Sequence, residues 1–524
     1  MPAEVELKLG IAPGAAGRLL RHPALAAARA GRGTRTRLVA TYFDTPDGLL
    51  AEEGIGLRLR HERGAWLQTV KGPPLPASSG ALVARDEHEF PLAGPELDRQ
   101  ALTRTPWSRP LQRALADPAF GPRFVTDFLR RTVPLRFADA STALLCIDCG
   151  ELRDPDGEQQ RSIAEIEIEQ FTGAPLELFR FAALLAADLP LRILMAGKAE
   201  RGHALLRGDP DGWRQPVRAA APVLTADGDA ASALAAIVRE CAGQIAGNAA
   251  GLVHDDDPEW VHQMRVGTRR LRACLGLLQP LLPAPGVAAV AAELRWLAAA
   301  LGRCRDLDVY VDELLAPLAR AAGPDSTLAH ALLPLQQAAA SARADARAGA
   351  RAAVDSPRFT RLVLAVGALG ALPRFGVPEP ASGDDPLGQP ATAFAAQLLD
   401  RRHRRVRRRG AALAGGSAAE RHALRIAAKK MRYGAEFFAP AFAHRKPARS
   451  FGASLAGLQD LLGQLNDGVT AQRLTGELAA DRPDLAAAAL GVAGWIAATA
   501  VALERDLGPA WKQFRRTPRF WRQR

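Results

Sequence analysis

Cysteine is scarce in this chain. The five residues, Cys146, Cys149, Cys241, Cys274 and Cys304, are odd in number and scattered. That excludes a disulfide framework and points to a reducing compartment, so a cytoplasmic location is expected. Cys146 and Cys149 form a lone CxxC, but their odd spacing on a strand sends the two thiols to opposite faces, and the pair reads as packing. No basic region followed by an apolar stretch opens the chain, so no secretory signal is expected. No apolar run is read as reaching the roughly 18 residues of a membrane span, so no membrane partner is expected either. There is no P-loop pattern and no serine nucleophile elbow, which sets aside the commonest nucleotide-binding and acyl-transfer chemistries. The basic runs carry no aromatic interleaving, zinc-finger spacing or RNP-type pattern, and nucleic acid is not the expected partner.

What the chain does have is length and charge. Its 524 residues are too many for one core and suit two to four domains. Hydrophobic residues make up 48% and charged residues 24%, a soluble globular composition. The net charge of +12 is unevenly spread. Residues 1–208 hold 27 Lys and Arg against 26 Asp and Glu, and residues 209–524 hold the remaining 41 against 30. The basic excess belongs to the second part, and its field favours an anion: nucleic acid, anionic lipid or a phosphate polymer.

The first part is patterned at period two. In Glu4-Val5-Glu6-Leu7-Lys8-Leu9 the charges share one strand face and the aliphatics the other. The pattern recurs in Leu57-Arg58-Leu59-Arg60, in Arg85-Asp86-Glu87-His88-Glu89, around Thr126, Phe128 and Arg130, and in Ile163-Ala164-Glu165-Ile166-Glu167-Ile168-Glu169. An open sheet with one solvated face tolerates some of this. Three glutamates in line on one strand repel at close range, however, unless something cationic faces them. A closed antiparallel barrel with a polar interior accounts for the set: carboxylates on part of the wall for divalent cations, arginines and lysines elsewhere for phosphate oxygens. Pro13 to Arg29 reads as a helix, as does Leu176 to Asp188.

These residues resemble the CYTH domain of the triphosphate tunnel metalloenzymes. The ExExK-like EVELK (4–8) is followed in order by YFDT (42–45), LRLR (57–60), QTVKG (68–72), RDEHE (85–89), TDFLR (126–130), EIEIE (165–169) and GKAERG (197–202). The resemblance covers residues 1–208 and implies an eight-stranded antiparallel β tunnel that binds a triphosphate with Mg2+ or Mn2+. It implies a metal side of Glu4, Glu6, Glu165, Glu167 and Glu169, with Glu4 and Glu6 facing Glu165 and Glu167 across the lumen. It implies a phosphate side of Lys8, Arg58, Arg60, Lys71, Arg85, Arg130 and Lys198, with Glu87, Glu89 and Asp148 lining the lumen among the catalytic set. Gly197 departs from the serine expected before the lysine.

Residues 209–228 hold Pro, Gly and Asp without a period and read as a linker. From Asp229 onward Ala and Leu dominate and helical patterns replace strands. This region repeats internally. HQMRVGTRRLR from His262 matches HALRIAAKKMR from His422, and LGRCRD from Leu301 matches LGQLND from Leu462. On a helix His262, Arg265, Arg269 and Arg272 fall on one stripe, as do His422, Arg425, Lys429 and Arg432. A solvated basic face is the plain reading of one such helix; the same face in two copies points to an anion site. One histidine per motif, with no second ligand a turn away, argues against metal. Arg401 to Arg409 adds a further basic run.

The second part resembles a CHAD domain over residues 229–510, in repeats of about 229–375 and 390–510. That resemblance implies an all-α region of two pseudo-symmetric four-helix bundles binding inorganic polyphosphate. Its expected contacts are His262, Arg265, Arg269, Arg270, Arg272, Arg303, Arg305, His422, Arg425, Lys429, Lys430 and Arg432. Residues 511–524 form a basic, aromatic tail. Together the two resemblances imply a multidomain α+β chain: a metal-dependent inorganic triphosphatase cleaving tripolyphosphate, joined to a polyphosphate-binding domain. A non-catalytic, granule-associated polyphosphate binder, or a thiamine triphosphatase or adenylyl cyclase on the same tunnel, are the alternatives.

Overall fold

A computed structural model describes residues 3–522, apart from 13, 63, 77, 79, 209–214, 226, 279–284, 381–383, 412, 414–416 and 444. Part of the expected linker, residues 209–214 and 226, and the last two residues of the tail thus lie outside the described residues. The chain divides into two compact units. The first holds residues 1–218, 241–264 and 354–372, and the second holds 219–240, 265–353 and 373–524.

Nine strands build the sheet of the first unit: β1 (Glu4–Ile11), β2 (Thr34–Asp44), β3 (Gly56–Glu62), β4 (Ala65–Pro74), β5 (Leu82–Leu92), β6 (Gly121–Arg136), β7 (Thr142–Arg153), β8 (Gln160–Thr172) and β9 (Leu191–Ile193). They run in the order β5-β4-β3-β2-β6-β7-β8-β1-β9, and β1 also pairs with β5. That last pairing closes β1 to β8 into an eight-stranded barrel, with β9 a short addition beside β1. All neighbours are antiparallel. Closure removes the free edges that such a charged sheet would otherwise expose.

The period-two patterning sorts side chains in or out as the sequence predicts. Leu7, Leu9, Leu145, Ile147, Ile166 and Ile168 point outward into one buried cluster. The helix Leu176–Asp188 covers them with Phe179, Phe181 and Leu185. The helix Pro357–Ala371, distant in sequence, packs on this same helix. At Gly367 a Cβ would come within 2.1 Å of the Phe179 ring, so only glycine permits that approach. Leu38, Ala40, Tyr42, Phe124, Phe128, Leu152, Ile163 and Leu205 form a second buried cluster. The helix Lys198–Leu206 supplies Leu205, and Gly202 lies against Phe124. Leu38, Ala40, Tyr42 and Phe128 of this cluster border the charged part of the interior.

The helix expected over Pro13 to Arg29 is two short ones, Ala16–Leu20 and Pro23–Ala28. Pro23 has no N–H to continue a helix and sits at the first position of a new one, capped by His22.

The rest of the chain is helical, including Ala230–Gly247, Pro258–Leu278, Pro285–Val309, Thr327–Val354, Ala391–Gly410, Ala418–Phe438, Arg445–Ala479 and Ala486–Arg516. The last four follow the order and spacing of the first four, as the repeat requires. Ser417 and Glu420 form a reciprocal capping box at the start of Ala418–Phe438. A π-helical turn, Tyr310–Leu315, interrupts the first copy. The tail is anchored in the second unit. Phe520 and Trp521 are buried with Phe451, Phe514 and Trp511.

The expectation that no run is long enough to span a membrane fails at Ala486–Arg516. Residues 485–503 carry no charge, and the helix is long and apolar enough by length and composition, with a mean hydropathy of 1.9 in its best window, 22% buried. Alanine and glycine make up most of this run, so it lacks the bulky residues by which such spans are usually noticed. The helix nevertheless packs in the bundle through Ala488, Val492, Leu507, Trp511 and Phe514.

Candidate functional site

The charged part of the barrel interior is a cavity of about 250 Å³. Alternation along each strand brings its lining together: Glu4, Glu6 and Lys8 from β1, Arg58 and Arg60 from β3, and Lys71 from β4. Arg85, Glu87 and Glu89 come from β5, Arg130 from β6, Glu167 and Glu169 from β8, and Lys198 and Glu200 from the helix Lys198–Leu206. Seven cations face seven carboxylates. Such a lumen is self-neutralised when empty, so a ligand that enters must bring both charge signs or leave one set unpaired.

The pairing follows from register. On β1 and β8, Glu6 sits beside Glu169, Lys8 beside Glu167 and Gly10 beside Glu165. Glu4 and Glu6 are therefore next to the β8 glutamates on an adjoining strand, and do not face Glu165 and Glu167 across the lumen as expected. The carboxylates fall into two clusters. Glu4, Glu6 and Glu169 each place an oxygen within 4.8 Å of the others, and so do Asp148, Glu165 and Glu167.

Cations already fill the second cluster. Lys198 Nζ lies 2.7 Å from Asp148 and 3.1 Å from Glu167, and it also donates to Glu165, which Arg201 pairs as well. Arg130 grips Asp148 with two donors at 2.8 and 2.7 Å and reaches Glu167 at 2.5 Å. Asp148 and Glu165 are fully buried and stand behind the cavity wall. They are wired to the basic residues rather than presented to a ligand. Removing one partner of such a buried pair typically costs about 3–5 kcal/mol. Burial works against the charges here, but Lys198, Lys8 and Arg130 hold Glu167 well below the usual carboxylate range.

The first cluster is more open. Lys71 meets Glu4 at 2.5 Å and Lys8 meets Glu6 at 2.9 Å, while Arg130 reaches Glu169 at 3.3 Å. Burial, with Glu167, Glu4 and Glu6 as neighbours, pushes the Glu169 carboxyl up to about 7 despite Arg130. Three hard oxygen donors this close together, one of them still pushed towards protonation, fit a divalent cation.

Arg58 lies 3.4 Å from Glu87, Arg60 3.4 Å from Glu89, and Lys71 3.3 Å from Glu87. These pairs are loose, and a phosphate oxygen can replace the carboxylate. Arg85 is held at 2.5 Å by Glu200. Burial opposes the Glu200 charge, but Arg85 and Lys8 bring its pKa down to about 2. Glu200 and Arg201 were missed as functional residues, although both stand within the GKAERG segment. They follow Lys198 by two and three residues on a helix, where the period-two signal of the strands does not apply.

In the second unit, the two basic motifs converge. Arg269 lies near enough to Arg425 and Lys429 for its charge to depress both. Burial, then Arg425 and Arg269, push the Lys429 ammonium down to about 7. The buried Nε atoms of Arg269 and Arg425 have no hydrogen-bond partner among the described residues. Arg265 stands 4.0 Å from Asp306, and Arg425 donates to Asn466 at 3.1 Å, beside His422 at 3.2 Å from the same oxygen. His262 lies one turn before Arg265 on the helix Pro258–Leu278.

Other expected phosphate contacts have partners of their own, with Arg305 and Arg432 still near enough to act on Arg265 and Lys429. Arg270 is buried, bonds Glu240 at 2.6 Å and the Ala220 carbonyl at 3.0 Å, and stacks on Phe437. Arg303 pairs with Glu477 at 3.0 Å and Arg305 with Glu313 at 2.9 Å. Arg432 pairs with Glu436 at 3.5 Å. Arg272 and Lys430 are exposed, Arg272 next to Arg295 and Lys430 towards Arg402 and Arg405.

A closed tunnel lined by both charge signs, followed by a helical repeat with a basic convergence, defines a two-module architecture. Comparison with known proteins places each module. Residues 2–203 are a CYTH domain and residues 236–475 a CHAD domain. The chain is therefore a CYTH–CHAD protein. An inorganic triphosphatase from Haemophilus influenzae is 32% identical over 205 residues, covering 39% of this chain and 55% of the relative, so the chain spans about half that relative's length. The crystal structure of the CHAD domain from the plant Ricinus communis matches with 32% identity and a TM-score of 0.51, covering 58% of this chain and 99% of that one. A Hippeastrum protein studied as an adenylyl cyclase and described as revealing a dominant triphosphatase activity is 20% identical with a TM-score of 0.29, covering 40% and 97%.

Proposed function

We propose that this chain hydrolyses tripolyphosphate to pyrophosphate and phosphate in its tunnel and binds longer inorganic polyphosphate on its helical domain, in the cytoplasm. The observation that carries the tunnel reading is the balanced lumen: a metal–triphosphate complex is the ligand class that brings both signs. Glu4, Glu6 and Glu169 would hold Mg2+ or Mn2+. Such an ion supplies charge neutralisation and a bound water of lowered pKa.

The chain's own groups do the rest. Arg58 and Arg60 exchange loose carboxylate partners, and Lys71 its looser contact with Glu87, for phosphate oxygens and fix the chain of phosphorus atoms in line. Arg130 and Lys198, anchored by Asp148 and Glu165, present fixed positive charge where the leaving group gains negative charge. Lys8, kept charged by Glu6 and Glu167 in spite of burial, adds to the same field.

One observation favours a second reading, an organic triphosphate as substrate. A side cavity of about 620 Å³ in the first unit shares Gly56, Arg85, Ala199 and Glu200 with the lumen and is otherwise largely apolar, with Ile55, Met195 and Val217 in its wall.

Phosphate release from tripolyphosphate, ATP and thiamine triphosphate, with Mg2+ or Mn2+, decides between them. The expected result is turnover of tripolyphosphate with the highest kcat/KM, lost by at least about 10³-fold in Glu6→Gln. Preference for either organic substrate favours the second reading. No release from any of the three, or a wild-type rate in Glu6→Gln, overturns the tunnel reading.

A further inference from the structure

The two copies of the helical repeat differ sharply on one helix. At the offset that aligns His262 with His422, residues 401–409 (RRHRRVRRR) fall on residues 241–249 (CAGQIAGNA), which carry no charge. Seven arginines stand where the first copy has none. The first copy forms its helix Ala230–Gly247 without them, so the bundle does not require the run.

On the helix Ala391–Gly410, His403 and Val406 turn inward and are buried, while Arg401, Arg404, Arg405 and Arg408 are exposed. These four fall at i, i+3, i+4 and i+7, on one stripe. Like charges at that spacing weaken a helix, and a face that only meets water mixes the two signs. Here, among the described residues, no carboxylate lies within ion-pair distance of any of the four. Arg404 reaches only the Asp400 carbonyl, at 3.4 Å. The Asp400 carboxylate, one turn back, is taken by Trp521, Arg519 and Arg522.

This stripe adjoins the basic convergence. Burial, then Arg402 and Arg405, lower the pKa of Lys430 on the helix Ala418–Phe438, so the three cations act on one another across the two helices. Lys430 follows Lys429, and one residue is about 100° of helix. His422 and Ile426 occupy the arc between them, and both are exposed. One exposed surface of this helix therefore leads from Arg425 and Lys429 to Lys430, and on to Arg402 and Arg405.

We propose that the arginine face of the helix Ala391–Gly410 is a second polyphosphate subsite, which holds the part of a long chain that runs on from the convergence, on the side of the second copy only. The inference rests on the polyphosphate reading of the helical domain. Charge complementarity and continuity with the convergence select the occupant. Guanidinium forks match phosphate oxygens, and neighbours on the stripe stand about 5–6 Å apart at Cβ, so one linear polyanion can meet several of them. Single-stranded nucleic acid wants aromatic side chains for its bases, and every exposed side chain of the stripe is an arginine. No large apolar residue of this helix is exposed for insertion into a membrane. A chain that spans both subsites engages the second intramolecularly, so affinity rises with chain length.

Titration of the full chain at low salt, with EDTA to prevent turnover, compares polyphosphates of about 5 and about 100 phosphates. Arg401→Ser combined with Arg405→Ser and Arg408→Ser removes the stripe. A control, Arg32→Ser with Arg35→Ser and Arg136→Ser, removes the same charge from exposed positions of the first unit. The stripe variant is expected to lose about tenfold or more on the long chain and to stay within about twofold on the short one, with unchanged helical circular dichroism. The control should stay within about twofold on both. Unchanged long-chain affinity in the stripe variant, an equal loss on both chains, or an equal loss in the control overturns the subsite and leaves the convergence standing. A loss confined to duplex DNA of matched charge makes the face a nucleic-acid surface and overturns it as well. Failure of the wild type to bind either polyphosphate removes the polyphosphate reading itself, and the subsite with it.

Discussion

Lys429 shows what a single residue adds to the basic convergence. Burial, with Arg425 and Arg269 beside it, has lowered its pKa to about 7. A bound polyanion favours the charged form, so binding takes up a proton near neutrality. The lysine is charged below pH 7 and progressively neutral above it. Polyphosphate affinity is therefore expected to fall as pH rises from 6 to 8, by up to about tenfold per unit for one coupled proton. Lys429→Arg keeps its charge throughout and should flatten that dependence. Titrations at several pH values, wild type against variant, check this; a parallel slope in both would remove Lys429 from the site. The same scale shows why some expected contacts went elsewhere. Arg270 follows Arg269 in sequence, but one residue is about 100° of helix, and that rotation carries it from the stripe into the core against Glu240 and Phe437.

At the scale of elements, strands were more legible than helix ends. Period-two alternation both predicts β1, β3, β5 and β8 and states which side chains enter the lumen, because burial on the outer face leaves one register possible. Residue pairing across strands is not written in any one strand, which is why Glu4 and Glu6 were placed opposite Glu165 and Glu167 instead of beside β8. The tail was illegible for another reason: WKQFRRTPRFWRQR reads as basic, yet Phe520 and Trp521 fill a core made by distant helices. Asp400 fastens it, accepting from Trp521 Nε1 at 2.9 Å and from Arg519 at 3.4 Å, and pairing with Arg522. Trp521→Ala should destabilise the second unit by about 3–5 kcal/mol, the usual cost of emptying a buried aromatic site, seen as a lowered melting temperature. The same core contains His403, whose imidazole burial, Arg519 and Arg407 push down to about 4. Its folded pKa is below the unfolded value of 6.5, so the neutral form favours folding. That contribution is complete above pH 6.5 and is lost as pH falls towards 4. Measured melts should show this acid limb, and His403→Phe should shorten it.

At the scale of the whole chain, the charge distribution separates two tasks. The first 208 residues are nearly neutral because the lumen balances its own charges, whereas the excess of +11 beyond them stands on helices. A balanced lumen suits a ligand that brings its own cations, and an unbalanced helical field suits a bare polyanion, whose binding then weakens steeply with salt as counterions are released. The two behaviours should be separable by mutation. Arg265→Ala combined with Arg425→Ala removes one guanidinium from each repeat without touching any group that lines the lumen. Polyphosphate affinity is expected to drop by at least about tenfold, with a shallower salt dependence, since each arginine lost removes a charged contact. Tripolyphosphate turnover by the same protein should stay within about twofold of wild type, because no lumen charge has changed. Phosphate-release assays and polyphosphate titrations on one preparation read both. Retained polyphosphate binding would place the polymer on the Arg401–Arg409 helix instead. Lost turnover with intact folding would mean that the helical domain sets the tunnel's activity, and that the division of charge reflects two linked sites.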